Sequence, residues 1–144
     1  MRTGADKDEV VLRVYHSTPF EILKFWGEVL KRLKLDESGK FAWAAVPYSV
    51  FRKYGSMKSG RESAASSFAQ IIDGTDFGLI MVEEEKKKLS VSFRSRTGFD
   101  TSKIAVALGG GGHVYASGGS VKGKPFEKAV EYVLRVARVY AKKT

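Results

Sequence analysis

Four consecutive glycines, Gly109, Gly110, Gly111 and Gly112, followed directly by His113, constrain this 144-residue chain more than any other feature. Glycine brings no side chain to bury and loses the most backbone freedom on ordering, so four together are an expensive way merely to stop a helix. One glycine suffices to end a helix at Leu108. The other three permit close approach of backbone N–H groups to a ligand. Consecutive N–H groups in such a bend can form a concave anion site, with a phosphate oxygen as natural guest, and His113 opens the next element with donors of its own. The competing expectation is a flexible loop without a ligand.

Two glycine fingerprints fail, one on spacing and one on a missing hydroxyl. A dinucleotide motif, G-x-G-x-x-G, begun at Gly109 or Gly110 would need glycine where Val114 or Tyr115 stands. Residues 118–124 spell G-x-x-x-x-G-K, but Pro125 follows, and the hydroxyl that would hold magnesium is missing.

The segments around the run alternate between helical and extended patterns. Residues 6–35 read as two helices broken near Ser17-Thr18-Pro19, with Thr18 as N-cap and Pro19 in the first helical position. Beyond the break Ile22, Leu23, Trp26, Val29, Leu30 and Leu33 form an apolar stripe, with Phe25 and Trp26 as core anchors and Glu28 paired with Lys31 and Arg32. A turn at residues 36–39 leads to a buried strand over 40–46 and a short helix opened by Pro47. Residues 55–60 have the most flexible composition, and 62–72 read as a helix ended by Asp73-Gly74. Strands are expected over 77–82 and 89–94, joined by a charged tip, then a helix over 102–108 capped by Asp100 and Thr101. A strand around Ser120-Val121 precedes a last helix from Pro125, with Ala129, Val130, Val133, Leu134, Ala137 and Tyr140 inward and Lys128, Arg135 and Arg138 outward. This order predicts an α/β fold, a mixed β-sheet flanked by helices, with residues 1–36 as a helical connector and 37–144 as the domain proper.

Strand alternation places Ser92, Arg94 and Arg96 on one face and Phe93 on the other. Two guanidiniums on one face can fork onto phosphate oxygens, with Arg94, deeper in the strand, the stronger candidate. His113 can donate to a phosphate, stack on a base or cap a turn. Ala116 and Gly118 are small where a ligand or another backbone could come near. The net charge of +9, from 25 Lys+Arg against 16 Asp+Glu, favours a polyanionic partner. Without cysteine, and with His16 and His113 as its only histidines, the chain offers no thiolate metal site, no disulfide framework and no histidine cage. No apolar run has the length of a membrane span or of a signal-peptide core, so a cytoplasmic protein without membrane contact is expected.

The residues SFRSR, the helix DTSKIAVALG and then GGGGHVYASG resemble the SFRS…IA…GGGGHxxAxG pattern of the DHH-associated domain. That domain is the C-terminal substrate-binding lobe of DHH-superfamily phosphoesterases. The nearest resemblance is to the bacterial oligoribonuclease (nanoRNase) type, which also dephosphorylates 3′-phosphoadenosine 5′-phosphate. Residues 4–33 are similar to the helical connector between the two lobes of such enzymes, so the resemblance covers nearly the whole chain. One departure is Ala116-Ser117-Gly118, where family members often carry Ala-Ala-Gly.

The resemblance implies that the glycine run, His113 and Arg94 face an inter-lobe cleft and hold the phosphate and terminal nucleotide of a short single-stranded RNA or DNA, or of a nucleotide phosphate. It places the manganese ions in a DHH catalytic lobe whose Asp-His-His motif this sequence lacks, and assigns no cofactor to this chain. The chain is then expected to be an excised or naturally separate lobe that binds without cleaving, with homodimerisation through the connector helices as a further expectation. A second reading is a stand-alone RNA-binding module of the kind appended to alanyl-tRNA synthetases. A self-sufficient hydrolase is disfavoured by the shortage of histidine and the scatter of the aspartates.

Overall fold

A computed structural model describes residues 18–54 and 60–142. His16, the helix expected before Ser17 and most of the 55–60 segment lie outside the described residues. The elements run α1 (Phe20–Lys31), β1 (Lys34–Leu35), β2 (Phe41–Val46), α2 (Tyr48–Lys53), α3 (Gly60–Ala64) continuing as a π-helical turn (Ala65–Ala69), β3 (Phe77–Glu85), β4 (Lys88–Ser95), α4 (Ser102–Ala107), β5 (Gly111–Gly112), β6 (Ala116–Lys122) and α5 (Phe126–Ala141). One mixed sheet has the order β1-β2-β3-β4-β6-β5, with β2 and β3 parallel and every other pair antiparallel.

The sheet order explains the patterning. Strand β3 is central and buried on both faces through Glu83, which is why its sequence FGLIMV is a continuous apolar run. Strand β4 beside it alternates instead. Leu89, Val91 and Phe93 join Phe77, Leu79 and Met81 in a core sealed by Ile104, Ala105 and Leu108 and by Ala129, Val133 and Ala137 of α5. Phe41, Phe77 and Phe99 stack through this core, with ring centroids 4.9 and 4.5 Å apart. On the opposite face, Ala44, Val46, Ile80 and Val82 of β2 and β3 are covered by Phe25, Val29, Phe51, Ala64, Ala65 and Ala69. The apolar part of that second cover ends at β3; beyond it α3 and the π-helical turn meet β4 through polar contacts, Arg61 donating to Ser92 and Arg94 to Ser66.

Several local expectations change. Helix α1 begins at Phe20 with Pro19, extended at ψ 139°, in the cap position; its carbonyl accepts from Ile22 and Leu23, so Thr18 is not the cap. The buried stripe of α1 is Ile22, Phe25 and Val29, with Leu23 and Leu30 exposed at 49% and 45%, because Phe25 turns inward against Phe51 and the backbone at Gly60. The 62–72 helix starts at Gly60 and ends at Ala69. Asp100, rather than Thr101, caps α4, its Oδ1 accepting from the Ser102 amide and hydroxyl. Arg138, expected to look outward, donates from Nε and Nη2 to Oδ1 of the buried Asp36, each at 2.9 Å. The described part of the 1–36 segment shares the body of the domain: β1 pairs with β2, and Phe25 and Val29 belong to its core.

Candidate phosphate-binding face

Where α1, α2 and α3 stop covering the sheet, β4 and β6 present a polar floor. Register places Ser90 opposite Ser120, Ser92 opposite Gly118 and Arg94 opposite Ala116, all on the same face. Small side chains keep that floor low, and an open cleft of about 440 Å³ lies above it. Its lining includes Ser92, Arg94, Gly111, Gly112, Ala116 and Gly118, together with Arg61, Glu62, Lys88, Ser90 and Ser120.

Arg94 lies half-buried at one end of the cleft. Its Nε donates to Ser66 Oγ at 3.2 Å and its Nη1 to the Phe93 carbonyl at 2.8 Å. Burial lowers its pKa from the ordinary arginine value, with Glu62 opposing the shift and the charge of Arg61 adding to it. The group remains a cation at any ordinary pH. Among the described residues no carboxylate stands within 4 Å of it. A partly desolvated guanidinium with unused donors over a serine–glycine floor is suited to an oxyanion.

The glycine run has a different local role from the one expected. Gly109 (φ +80°) donates to the Val106 carbonyl and Gly110 to the Ala105 carbonyl, the paired bonds that close a helix C-terminus. Gly111 and Gly112 form β5 against Gly118 and Ser117, and the His113 amide donates to Ala116. With the amides of Gly109, Gly110 and His113 bonded to carbonyls, the four do not form a nest of consecutive free donors. Close packing explains the composition instead. A Cβ on Gly110 would lie 2.1 Å from the Gly118 carbonyl oxygen, and one on Gly112, at φ +144°, 2.5 Å from Ser117 Cα. The run lets the chain leave α4 and lie directly against β6, forming the rim of the cleft with Gly111 and Gly112.

Not every expected residue reaches the cleft. Gly109, Gly110 and His113 are exposed and outside its lining, His113 in the turn between β5 and β6. Thr101 steadies that turn, its hydroxyl donating to the Val114 carbonyl at 2.9 Å and accepting from Ser117 Oγ at 2.9 Å. Arg96 does not pair with Arg94 over a ligand. Strand β4 ends at Ser95, and Arg96 turns to the loop before β3, donating to the Thr75 carbonyl and to Asp73. Arg61 is the residue that sequence reasoning missed. It comes from α3, and its Nε donates to Ser92 Oγ at 2.9 Å across 31 positions of sequence. Lys88, Ser90 and Ser120 were within reach of the alternation rule that placed Ser92 and Arg94 on one face.

The DHHA1 domain family matches residues 48–142, and the chain belongs to that family, the domain that accompanies the catalytic domain of DHH phosphoesterases. Among individual proteins it is similar to the bifunctional oligoribonuclease and PAP phosphatase NrnA of Thermus thermophilus. The two are 30% identical over 122 residues, 83% of this chain and 35% of that protein. An exopolyphosphatase-related protein from Bacteroides fragilis superposes with a TM-score of 0.80 at 25% identity, over 97% of this chain and 39% of that one. The chain therefore spans little more than a third of either relative. The C-Ala domain of Aquifex aeolicus alanyl-tRNA synthetase shares the fold, with a TM-score of 0.51 and 15% identity over 72% of this chain and 96% of that domain.

Among the described residues no three His, Cys, Asp or Glu side chains gather as a metal-ion ligand set, and no helix is long and apolar enough to cross a membrane. Apart from the exposed carboxylate of Glu62, the donor chemistry of the cleft is cationic and hydroxylic, which suits an anion.

Proposed function

We propose that this domain is the substrate-holding lobe of a DHH phosphoesterase, gripping a phosphate of a short oligonucleotide or nucleotide at the β4–β6 face. A DHH catalytic lobe, in the same or a separate polypeptide, supplies the metal-dependent hydrolysis. The observation that carries this reading is Arg94, half-buried above a serine–glycine floor and without a carboxylate partner among the described residues. Fixing a phosphate against a guanidinium removes translational and rotational freedom before reaction, which is what a lobe without hydrolytic ligands contributes to the rate. Ser92, Gly111, Gly112, Ala116 and Gly118 shape the floor and rim, and the exposed His113, next in sequence to the rim residue Gly112, is the candidate contact for the nucleoside of a bound phosphate.

Calorimetric titration with a 5′-phosphorylated dinucleotide tests the reading. Arg94→Ala is expected to weaken binding at least about tenfold, the magnitude of a lost charge-assisted hydrogen bond. Undiminished affinity in a variant with an unchanged circular dichroism spectrum would remove Arg94 from the site and the reading with it.

A further inference from the structure

Arg61 shares the cleft with Arg94 and is held there by two partners. Its Nη1 lies 2.6 Å from Glu84 Oε1, and its Nε donates to Ser92 Oγ. Glu84 is largely buried, and its other oxygen, Oε2, is buried without a hydrogen-bond partner. The carboxylate therefore depends on Arg61 for its compensation, and a swing of Arg61 away from it would leave a charge stranded against the sheet. Arg61 is fixed for this reason. Of its five N–H donors, those on Nη2 meet only the exposed Glu62, at 3.9 Å, beyond hydrogen-bond reach. A guanidinium with two edges anchored and a third unoccupied is organised for an oxyanion before the ligand arrives.

The spacing gives this arrangement its meaning. Ser92, which anchors Arg61, is the next residue after Arg94 on the same face of β4, roughly 7 Å along the strand. Both guanidiniums line the same cleft, and the charge of Arg61 acts on Arg94, so two successive phosphates of one ligand can each meet a cation there. We propose that Arg61 binds the second phosphate of a substrate whose first is held by Arg94, and so determines the preference for a dinucleotide over a mononucleotide. Glu84 acts as the positioning residue for Arg61. The inference rests on the reading of this face as the phosphate site.

The test compares two probes, adenosine 5′-monophosphate and 5′-phosphorylated diadenylate, titrated into the full chain. Arg61→Lys keeps a cation beside Glu84 but loses the fork. The double variant Arg61→Met/Glu84→Leu removes both charges and keeps the volume filled, so that the fold survives. Each is expected to weaken dinucleotide binding at least about fivefold and to leave mononucleotide binding within about twofold. Equal losses for both probes would reduce Arg61 to a structural pair of Glu84 and overturn the inference, as would undiminished dinucleotide affinity. Arg94→Ala separates the two levels of argument. If it weakens both probes while the Arg61 variants change neither, the phosphate site stands and only the role of Arg61 falls. If it weakens neither, the reading of the face falls first.

Discussion

The two faces of strand β4 are built from alternate residues of one short sequence, yet they have opposite fates. Leu89, Val91 and Phe93 point into a core sealed by α4 and α5. Ser90, Ser92 and Arg94, interleaved with them, face a cleft that no helix of the described residues closes. The first set holds the sheet together through apolar area removed from water. The second is polar: Ser90 and Ser92 are buried, Ser92 accepting from Arg61, and Arg94 is half-buried, so these groups line the cleft without adding to the apolar core. Apolar core and polar cleft lining are thus divided by the parity of the residue number, and the division can be probed one side chain at a time.

The strongest probe is Phe93→Ala. Phe93 is completely buried, and its truncation is expected to destabilise the domain by about 3–5 kcal/mol in chemical denaturation. Arg94→Ala, one residue away, is expected to change binding in the titration described above while leaving the denaturation midpoint nearly where it was. If both substitutions unfolded the domain to the same extent, the two faces would not be separable in this way.

Much of that division was legible in the sequence because alternation is a local property. A period of two assigns Ser92 and Arg94 to one face without any knowledge of what lies above them. Arg61 was not legible, since its place depends on α3 settling over β4, and nothing in the residues around it marks that contact. The glycine run was read as a demand for close approach of backbone to a ligand, and the close approach visible in the structure is to β6. Gly110 and Gly112 make room for β6. Leu23 and Leu30 illustrate a similar limit. Helical spacing drew one stripe that included both, and the turn of Phe25 toward Phe51 moves the buried face of α1 away from them.

The covered face is fastened at its rim by a pair that sequence patterning also missed, Asp36 with Arg138, 102 residues apart. Burial opposes ionisation of Asp36, but hydrogen bonds from Arg138 and Ser38 outweigh it and hold its pKa below the ordinary aspartate value. A carboxyl depressed in the folded state contributes stability that is fully present above its unfolded pKa, about 3.9, and is lost as the pH falls through the lower folded value. Denaturation midpoints are therefore expected to fall with acid across that interval. Asp36→Asn is expected to cost roughly 1–3 kcal/mol at neutral pH and to flatten the acid limb of the profile. An acid limb unchanged by Asp36→Asn would assign the loss to other carboxylates and leave α5 held by packing alone.

The smallest expected effect draws the boundary of the open face. Arg94 and Arg96 are two residues apart and would share a phosphate if β4 continued, but the strand stops at Ser95. The Arg96 amide donates to Asp76, and its side chain follows that loop to the Thr75 carbonyl and to a fully exposed Asp73 at 3.4 Å. An ion pair in that setting is worth about 0–1 kcal/mol because water competes for both partners. Arg96→Ala is expected to shift stability by less than about 1 kcal/mol and dinucleotide affinity by less than about twofold. A loss as large as that from Arg94→Ala would extend the phosphate site past the end of the strand. Ligand binding would then have to draw Arg96 away from Thr75 and Asp73, and the alternation that separates the two faces of β4 would no longer define the site.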